Sequence, residues 1–180
     1  VIDSVVNNTG VIEADSVGTR KGKIVLSAST SSAKPSAAPS QKVKVKGKLS
    51  TAGKKDGEFG GASQITGEEI ALVEATIDAA GWKGGGTVLV GGDLGGGNPY
   101  RRAAAMPALE RVSVPTANIV SMDSNSVIDA SARVSGSGGK IVLWSDVATT
   151  VDGLVSARGG ELSGDGGFVE TSGRTLEVSD

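Results

Sequence analysis

The chain has 180 residues and a mass of 17.8 kDa, enough for one domain, with a formal net charge of -2 and only 3% aromatic residues. It contains no cysteine and no histidine, which excludes disulfides, thiolate or imidazole metal sites and Ser-His or Cys-His nucleophile pairs together, and no cofactor is expected. Its 28 glycines follow no Gly-X-Y period, and 22 Val, 9 Ile and 10 Leu supply the apolar set, so short branched strands between regular turns are predicted.

In chain order, Val5-Val6 and an Asn7-Asn8-Thr9-Gly10 turn lead into Val11-Ile12-Glu13-Ala14 and then Gly22-Lys23-Ile24-Val25-Leu26, a weak copy of a phrase that recurs later. Residues 27–41 are Ser, Ala, Thr, Lys and Pro, too polar and small for a core, and read as a solvated loop. Lys42 to Lys48 alternates lysine with Val43 and Val45, the period-two pattern of a half-buried strand with valines inward and lysines outward. Leu49-Ser-Thr-Ala-Gly53 starts a clearer copy, closed by Gly60-Gly61 and a strand over Ala62 to Ile65.

The segment from Gly67 to Ala80 carries Ile70, Val73 and Ile77 at helical spacing, and propensity alone favours a helix. Its match to a later copy argues for strands, because Ile77-Asp-Ala-Ala-Gly81 aligns with Ile128-Asp-Ala-Ser-Ala132 and each precedes a Gly-Gly strand. Gly-Gly pairs stand at 60/61, 85/86, 138/139 and 166/167, with spacings of 25, 53 and 28 residues. The doubled middle interval predicts one further rung between Leu94 and Val127, together with an excursion over residues 94–115 that holds a short helix from Tyr100 to Met106. A unit this short has one apolar face and cannot bury it alone, so repeated units must cover one another in a solenoid spanning residues 1–180. The predicted inward stack is Ile65, Ile77, Val88, Val90, Ile128, Ile141, Leu143, Leu154 and Val169.

The run from Ala75 to Asp93, with Gly84-Gly-Gly-Thr-Val-Leu-Val-Gly-Gly-Asp93 at its end, is followed by Ile128-Asp-Ala, Gly138-Gly-Lys-Ile-Val-Leu-Trp-Ser-Asp146, Ala157-Arg-Gly-Gly160 and Gly164-Asp-Gly-Gly-Phe-Val-Glu-Thr-Ser-Gly173. Over residues 60–180 it resembles the repetitive shaft of filamentous-haemagglutinin-like exoproteins, bacterial surface adhesins exported by two-partner secretion. The resemblance implies an all-β, right-handed parallel β-helix, an extracellular or cell-surface location and structural or adhesive rather than enzymatic work. It also implies an outer-membrane two-partner-secretion transporter as partner of the parent protein. The amino-terminal secretion domain of that family is not recognisable in these residues.

The candidate sites each carry two readings. The corner glycines Gly60, Gly61, Gly85, Gly86, Gly138, Gly139, Gly166 and Gly167 fit turns rather than a phosphate-cradling loop, since they flank strands and open no helix. Asp56, Asp93 and Asp165 read as solvated turn carboxylates, outside any calcium-repeat phrase. Trp82 and Trp144 either pack over a corner or stack on a sugar ring. Lys42, Lys44, Lys46 and Lys48 form either an edge-protecting ladder or a contact for sulfated polysaccharide, anionic membrane or nucleic acid, with a polysaccharide or a host cell surface as the partner expected of an adhesin. No aromatic interleaves them, so no nucleic-acid partner is expected. The densest acidic group is Glu68, Glu69, Glu74 and Asp78, and Arg101 and Arg102 are the paired arginines that a polysaccharide-cleaving enzyme would use. Residues 1–60 hold ten Lys or Arg against five Asp or Glu, and residues 115–180 four against nine. Neither end carries a polar cap, which predicts a segment of a longer shaft or copies stacked head to tail in an extracellular fibre.

Overall fold

The computed structural model describes residues 4–28, 41–97 and 114–179. Fifteen strands account for its regular structure: β1 (Ser4–Asn8), β2 (Val11–Glu13), β3 (Lys23–Ser27), β4 (Gln41–Val45), β5 (Lys48–Ser50), β6 (Ala62–Thr66), β7 (Glu69–Leu72), β8 (Thr76–Asp78), β9 (Thr87–Val90), β10 (Ala117–Met122), β11 (Val127–Asp129), β12 (Lys140–Val151), β13 (Leu154–Ser156), β14 (Phe168–Ser172) and β15 (Thr175–Val178). The single helical turn among the described residues is Leu94–Gly97, where Gly95 and Gly96 take left-handed φ angles of 59° and 65°.

Every strand pairs in parallel with the equivalent strand one turn of chain away, and the pairs form three ladders. Ladder I runs β1, β4, β7, β10, the second half of β12 and β15. Ladder II runs β2, β5, β8, β11 and β13. Ladder III runs β3, β6, β9, the first half of β12 and β14. The chain visits II, III and I in that order at every turn, so each visit adds one strand to each ladder.

Alternation within each short strand places one set of side chains in the space between the ladders. Leu49, Ile77 and Ile128 stack on ladder II, Val43, Ile70 and Val120 on ladder I, and Ile65, Val90 and Leu143 on ladder III, all essentially fully buried. Burying one such aliphatic side chain contributes roughly 1.5–3 kcal/mol, so the core rests on this column and needs no aromatic. The segment with helical spacing forms β7 and β8 instead, because Ile70 and Ile77 fall into register with Val43 and Leu49 of the preceding turn. Packing overrides propensity there.

The phrase Ile-Asp-Ala has a local cause as well. Asp78 Oδ1 accepts the Ala80 N–H at 3.0 Å and Asp129 Oδ1 accepts the Ser131 N–H at 2.9 Å, so each aspartate turns the chain out of ladder II. The glycine pairs that follow are columns of backbone packed on backbone. A Cβ on Gly61, Gly86, Gly139 or Gly167 would lie 1.9–2.2 Å from a carbonyl oxygen of the rung before, and one on Gly60, Gly85 or Gly138 would lie 1.8–2.2 Å from Ala79, Ala130 or Ala157 of the rung after. Gly166 lies on the last described rung, and the nearest atom to its Cβ position is 4.0 Å away.

Two expectations need correction. No further rung lies between Leu94 and Val127: β9 pairs directly with β12, and β8 directly with β11, so the doubled interval is an insertion between neighbouring rungs. Leu154 points outward, 57% exposed, because it pairs with Val127, whereas Val155 lies under Ile128. Val169 takes the expected inward position opposite Ile141 and is 44% exposed, with no later strand over it among the described residues. The helix expected from Tyr100 to Met106 and most of the loop over residues 27–41 lie outside the described residues.

Candidate functional site

The outward side chains of ladder III meet the returning end of the insertion. Leu89, Val142 and Trp144 form a second apolar cluster with Leu94 and Val114, and Phe168 packs at its margin. Trp144 is 9% exposed, and the Gly91–Gly97 backbone runs across it: Cβ atoms on Gly92 and Gly96 would lie 2.9 Å and 2.5 Å from its side chain. Its Nε1–H donates to Asp146 Oδ1 at 3.1 Å, and the Thr116 hydroxyl donates to the other carboxylate oxygen at 2.6 Å. Of its two readings, the geometry therefore favours packing under a strap. The same strap buries a charge pair, with Lys140 Nζ 3.2 Å from Asp93 Oδ1 and exposures of 6% and 0%. Asp93, read as a solvated turn carboxylate, is thus a buried ion-pair partner that also accepts the Leu94 N–H at 2.7 Å. Glu170 on β14 reaches back to the Gly95 N–H at 3.0 Å and ties the strap to the following rung.

The lysine ladder is divided by the fold. β4 carries Lys42 and Lys44 and ends at Val45, Lys46 lies in the turn after it, and Lys48 belongs to β5 on another face, so the four lysines do not lie on one strand. Lys42 meets Glu69 of the next rung at 2.7 Å and Lys46 meets Glu74 at 3.3 Å, while Lys44 is exposed opposite Asn7 and Ala71. The acidic group is dispersed in the same way: Glu68 is buried against the Gln41 N–H, Glu69 and Glu74 face lysines, and Asp78 meets Arg133 at 3.3 Å. Glu74 sits at a left-handed φ of 51°, where its N–H donates to Asp123. Burial works to raise the Asp123 carboxyl, but hydrogen bonds from the Ser126 hydroxyl and from the Glu74, Asn125 and Ser126 N–H groups outweigh it and hold the pKa below the ordinary 3.8. Arg101 and Arg102 lie outside the described residues.

At the corner between ladders II and III the loops of successive rungs stack through their backbones. Trp82 N–H donates to Gly53 O at 2.9 Å, and Trp82 O accepts the Val134 N–H at 3.1 Å, which fixes the half-buried Trp82 as a rung of this corner. Glu58 turns inward, accepting the Gly18 N–H at 3.0 Å and the Lys55 N–H at 2.9 Å, and those bonds hold its carboxyl below the ordinary range. Phe59, next to it, is 38% exposed and lies against Gly84, and Lys21 Nζ stands 5.2 Å from its ring centroid. Asp15 accepts from Ser50 Oγ and from the Ala52 N–H at 3.0 Å and pairs with Lys54. Burial pushes its carboxyl up, but the hydrogen bonds from Lys54 and Ser50 and the Lys54 charge outweigh that and lower it. Phe59 and Lys21 escaped the reading of the sequence because neither lies in a repeated phrase.

No protein-family model matches the chain, and no curated protein matches it. Among solved structures, the secretion domain of HMW1 from Haemophilus influenzae matches, with a TM-score of 0.69 and 28% identity over 99% of this chain. The chain is similar to a secretion domain. It spans 43% of that solved chain, less than half of its length. The likeness is thus to a secretion domain, which the sequence alone does not reveal, and it says nothing for or against shaft repeats.

Proposed function

We propose that the chain is a non-enzymatic segment of a two-partner-secretion exoprotein, coiled as a right-handed parallel β-helix and held at the cell surface or outside the cell. The observation that carries this is the end-to-end likeness to the HMW1 secretion domain, joined to a ladder order in which equivalent strands repeat at every turn. The right hand follows from the rule that crossover connections between parallel strands of one sheet are right-handed in about 98% of cases. An outer-membrane transporter that recruits this segment as it emerges is the partner this reading requires. Such a partner meets the chain unfolded, and a chain without cysteine cannot be trapped by premature cross-links. The dispersal of Glu69, Glu74 and Asp78 onto separate basic partners supports the non-enzymatic reading, because cleavage of a glycan needs two carboxylates facing one sugar.

The experiment compares release of the chain, fused to a periplasmic export signal, from cells with and without a cognate two-partner-secretion outer-membrane transporter. Appearance of the chain outside the cell only when the transporter is present supports the reading. Equal release from both strains overturns it.

A further inference from the structure

We propose that the corner between ladders II and III binds an anionic polysaccharide lying along the stack, independently of how the chain leaves the cell. Three successive rungs present Arg20 and Lys21, then Lys55, then Lys83 at this corner, all exposed and without an ion-pair partner among the described residues. These differ from the lysines of β4 and its turn, where Lys42 and Lys46 are neutralised by Glu69 and Glu74. The carboxylates of the same loops are largely withdrawn. Glu58 faces inward to backbone donors, Asp15 is engaged by Lys54 and Ser50, and Asp56 alone stays exposed.

An aromatic surface lies among the cations. Phe59 stands between Lys21 and the Gly84 backbone, and the N–H of Lys83 donates to Glu58 O at 2.9 Å, which places the Lys83 backbone beside it. Trp82 adds a second, half-buried ring one residue before Lys83. Parallel rungs are spaced about 4.8 Å apart, so successive corner loops carry their cations along the stack, beside a ring against which the apolar face of a sugar can lie. A flat lipid surface would meet a face rather than this corner, and a single exposed ring gives no platform for successive bases. The ligand chemistry is therefore a linear chain of sugars carrying sulfate or carboxylate groups.

Titration calorimetry with dextran sulfate, polygalacturonate, uncharged dextran, phosphatidylglycerol vesicles and single-stranded DNA tests this on the full chain. Two variants of equal charge change are compared: Arg20→Ser, Lys21→Ser, Lys83→Ser at the corner, and Lys42→Ser, Lys44→Ser, Lys46→Ser on ladder I. Binding to one of the two charged polysaccharides is expected, weakened at least tenfold by the corner variant and less than threefold by the ladder I variant. The slope of log affinity against log salt should fall by roughly one per corner cation removed. Phe59→Leu should weaken binding while leaving that slope unchanged. All replaced side chains are exposed or half-exposed, and matched thermal midpoints confirm that each variant is folded. Equal loss in the two charge variants, binding to vesicles or DNA alone, or no binding to either charged polysaccharide overturns the proposal.

Discussion

Replacing Gly138 with alanine should separate two rungs at one corner, whereas the same change at Gly166, the equivalent first glycine of the next pair, should be almost silent. A Cβ added at Gly138 would lie 2.2 Å from the Ala157 carbonyl oxygen and 2.6 Å from the Gly167 nitrogen. Reaching ordinary contact requires the rungs to part by roughly 1 Å, and a gap of that size forfeits much of the packing attraction as it relieves the clash. The bonds that join the two rungs at this corner are Ala132 N–H to Arg158 O at 2.8 Å, Gly138 N–H to Asp165 O at 2.9 Å and Phe168 N–H to Gly139 O at 2.9 Å. At about 1 kcal/mol net each, their loss costs about 3 kcal/mol, offset by about 0.4–1 kcal/mol from the stiffer unfolded chain. The expected destabilisation is about 2–3 kcal/mol, a fall of roughly 4–12 °C in Tm for a chain of this size. Gly166 meets nothing nearer than 4.0 Å and should change stability by less than about 0.5 kcal/mol. Thermal and urea unfolding followed by circular dichroism measure both. Equal stability of the Gly138→Ala and Gly166→Ala chains would refute the reasoning that glycine columns exist because backbone stacks on backbone.

Three further outcomes are expected. Lys140→Met removes the cation 3.2 Å from the buried Asp93 carboxylate and should cost about 3 kcal/mol in urea unfolding, against less than about 1 kcal/mol for Lys42→Met, whose pair with Glu69 is partly exposed to solvent. Of the two tryptophans, Trp144 should be the one shielded from iodide, so a Trp82→Phe chain should show blue-shifted, poorly quenched emission and a Trp144→Phe chain the opposite. The carboxyls of Asp15, Glu58 and Asp123 sit below their ordinary values of 3.8, 4.5 and 3.8. Their contribution is complete above about pH 4.5 and is lost as pH falls through 3.8 toward the depressed folded values, so urea midpoints should drop over that range, less steeply in Asp123→Asn.

Much of the architecture is legible in the residues because repetition carries it. Ile77-Asp and Ile128-Asp are the same position on neighbouring rungs, as their shared phrase indicates, and that match rightly outweighs the helical spacing of Ile70, Val73 and Ile77. Counting glycine pairs fails across the insertion, so an interval of 53 residues reads as a further rung plus an excursion although it is one turn with an insertion. The inward assignment of Leu154 fails by one residue, and in a period-two strand one residue is the difference between core and solvent. The candidate site is less legible. Alternation shows that Lys42 and Lys46 point outward but cannot show that Glu69 and Glu74 come from the next rung to meet them. Trp144 looks accessible on a strand, and its strap comes from Gly91–Gly97, about fifty residues earlier.

The central claim is that strands about fifty residues apart lie on adjacent rungs in parallel register, and engineered thiols test it most directly because the chain has no cysteine of its own. Thr76 and Val127 are register partners on the outer side of ladder II, and Leu154 lies one rung further on. Neighbouring rungs lie within the 4.4–6.8 Å Cα separation that a disulfide accepts, while two rungs, at about 9.6 Å, do not. Mild oxidation should therefore close the Thr76→Cys, Val127→Cys pair within one molecule and leave the Thr76→Cys, Leu154→Cys pair open. Closure of the second pair in preference to the first would contradict the ladder order from which the whole account is built.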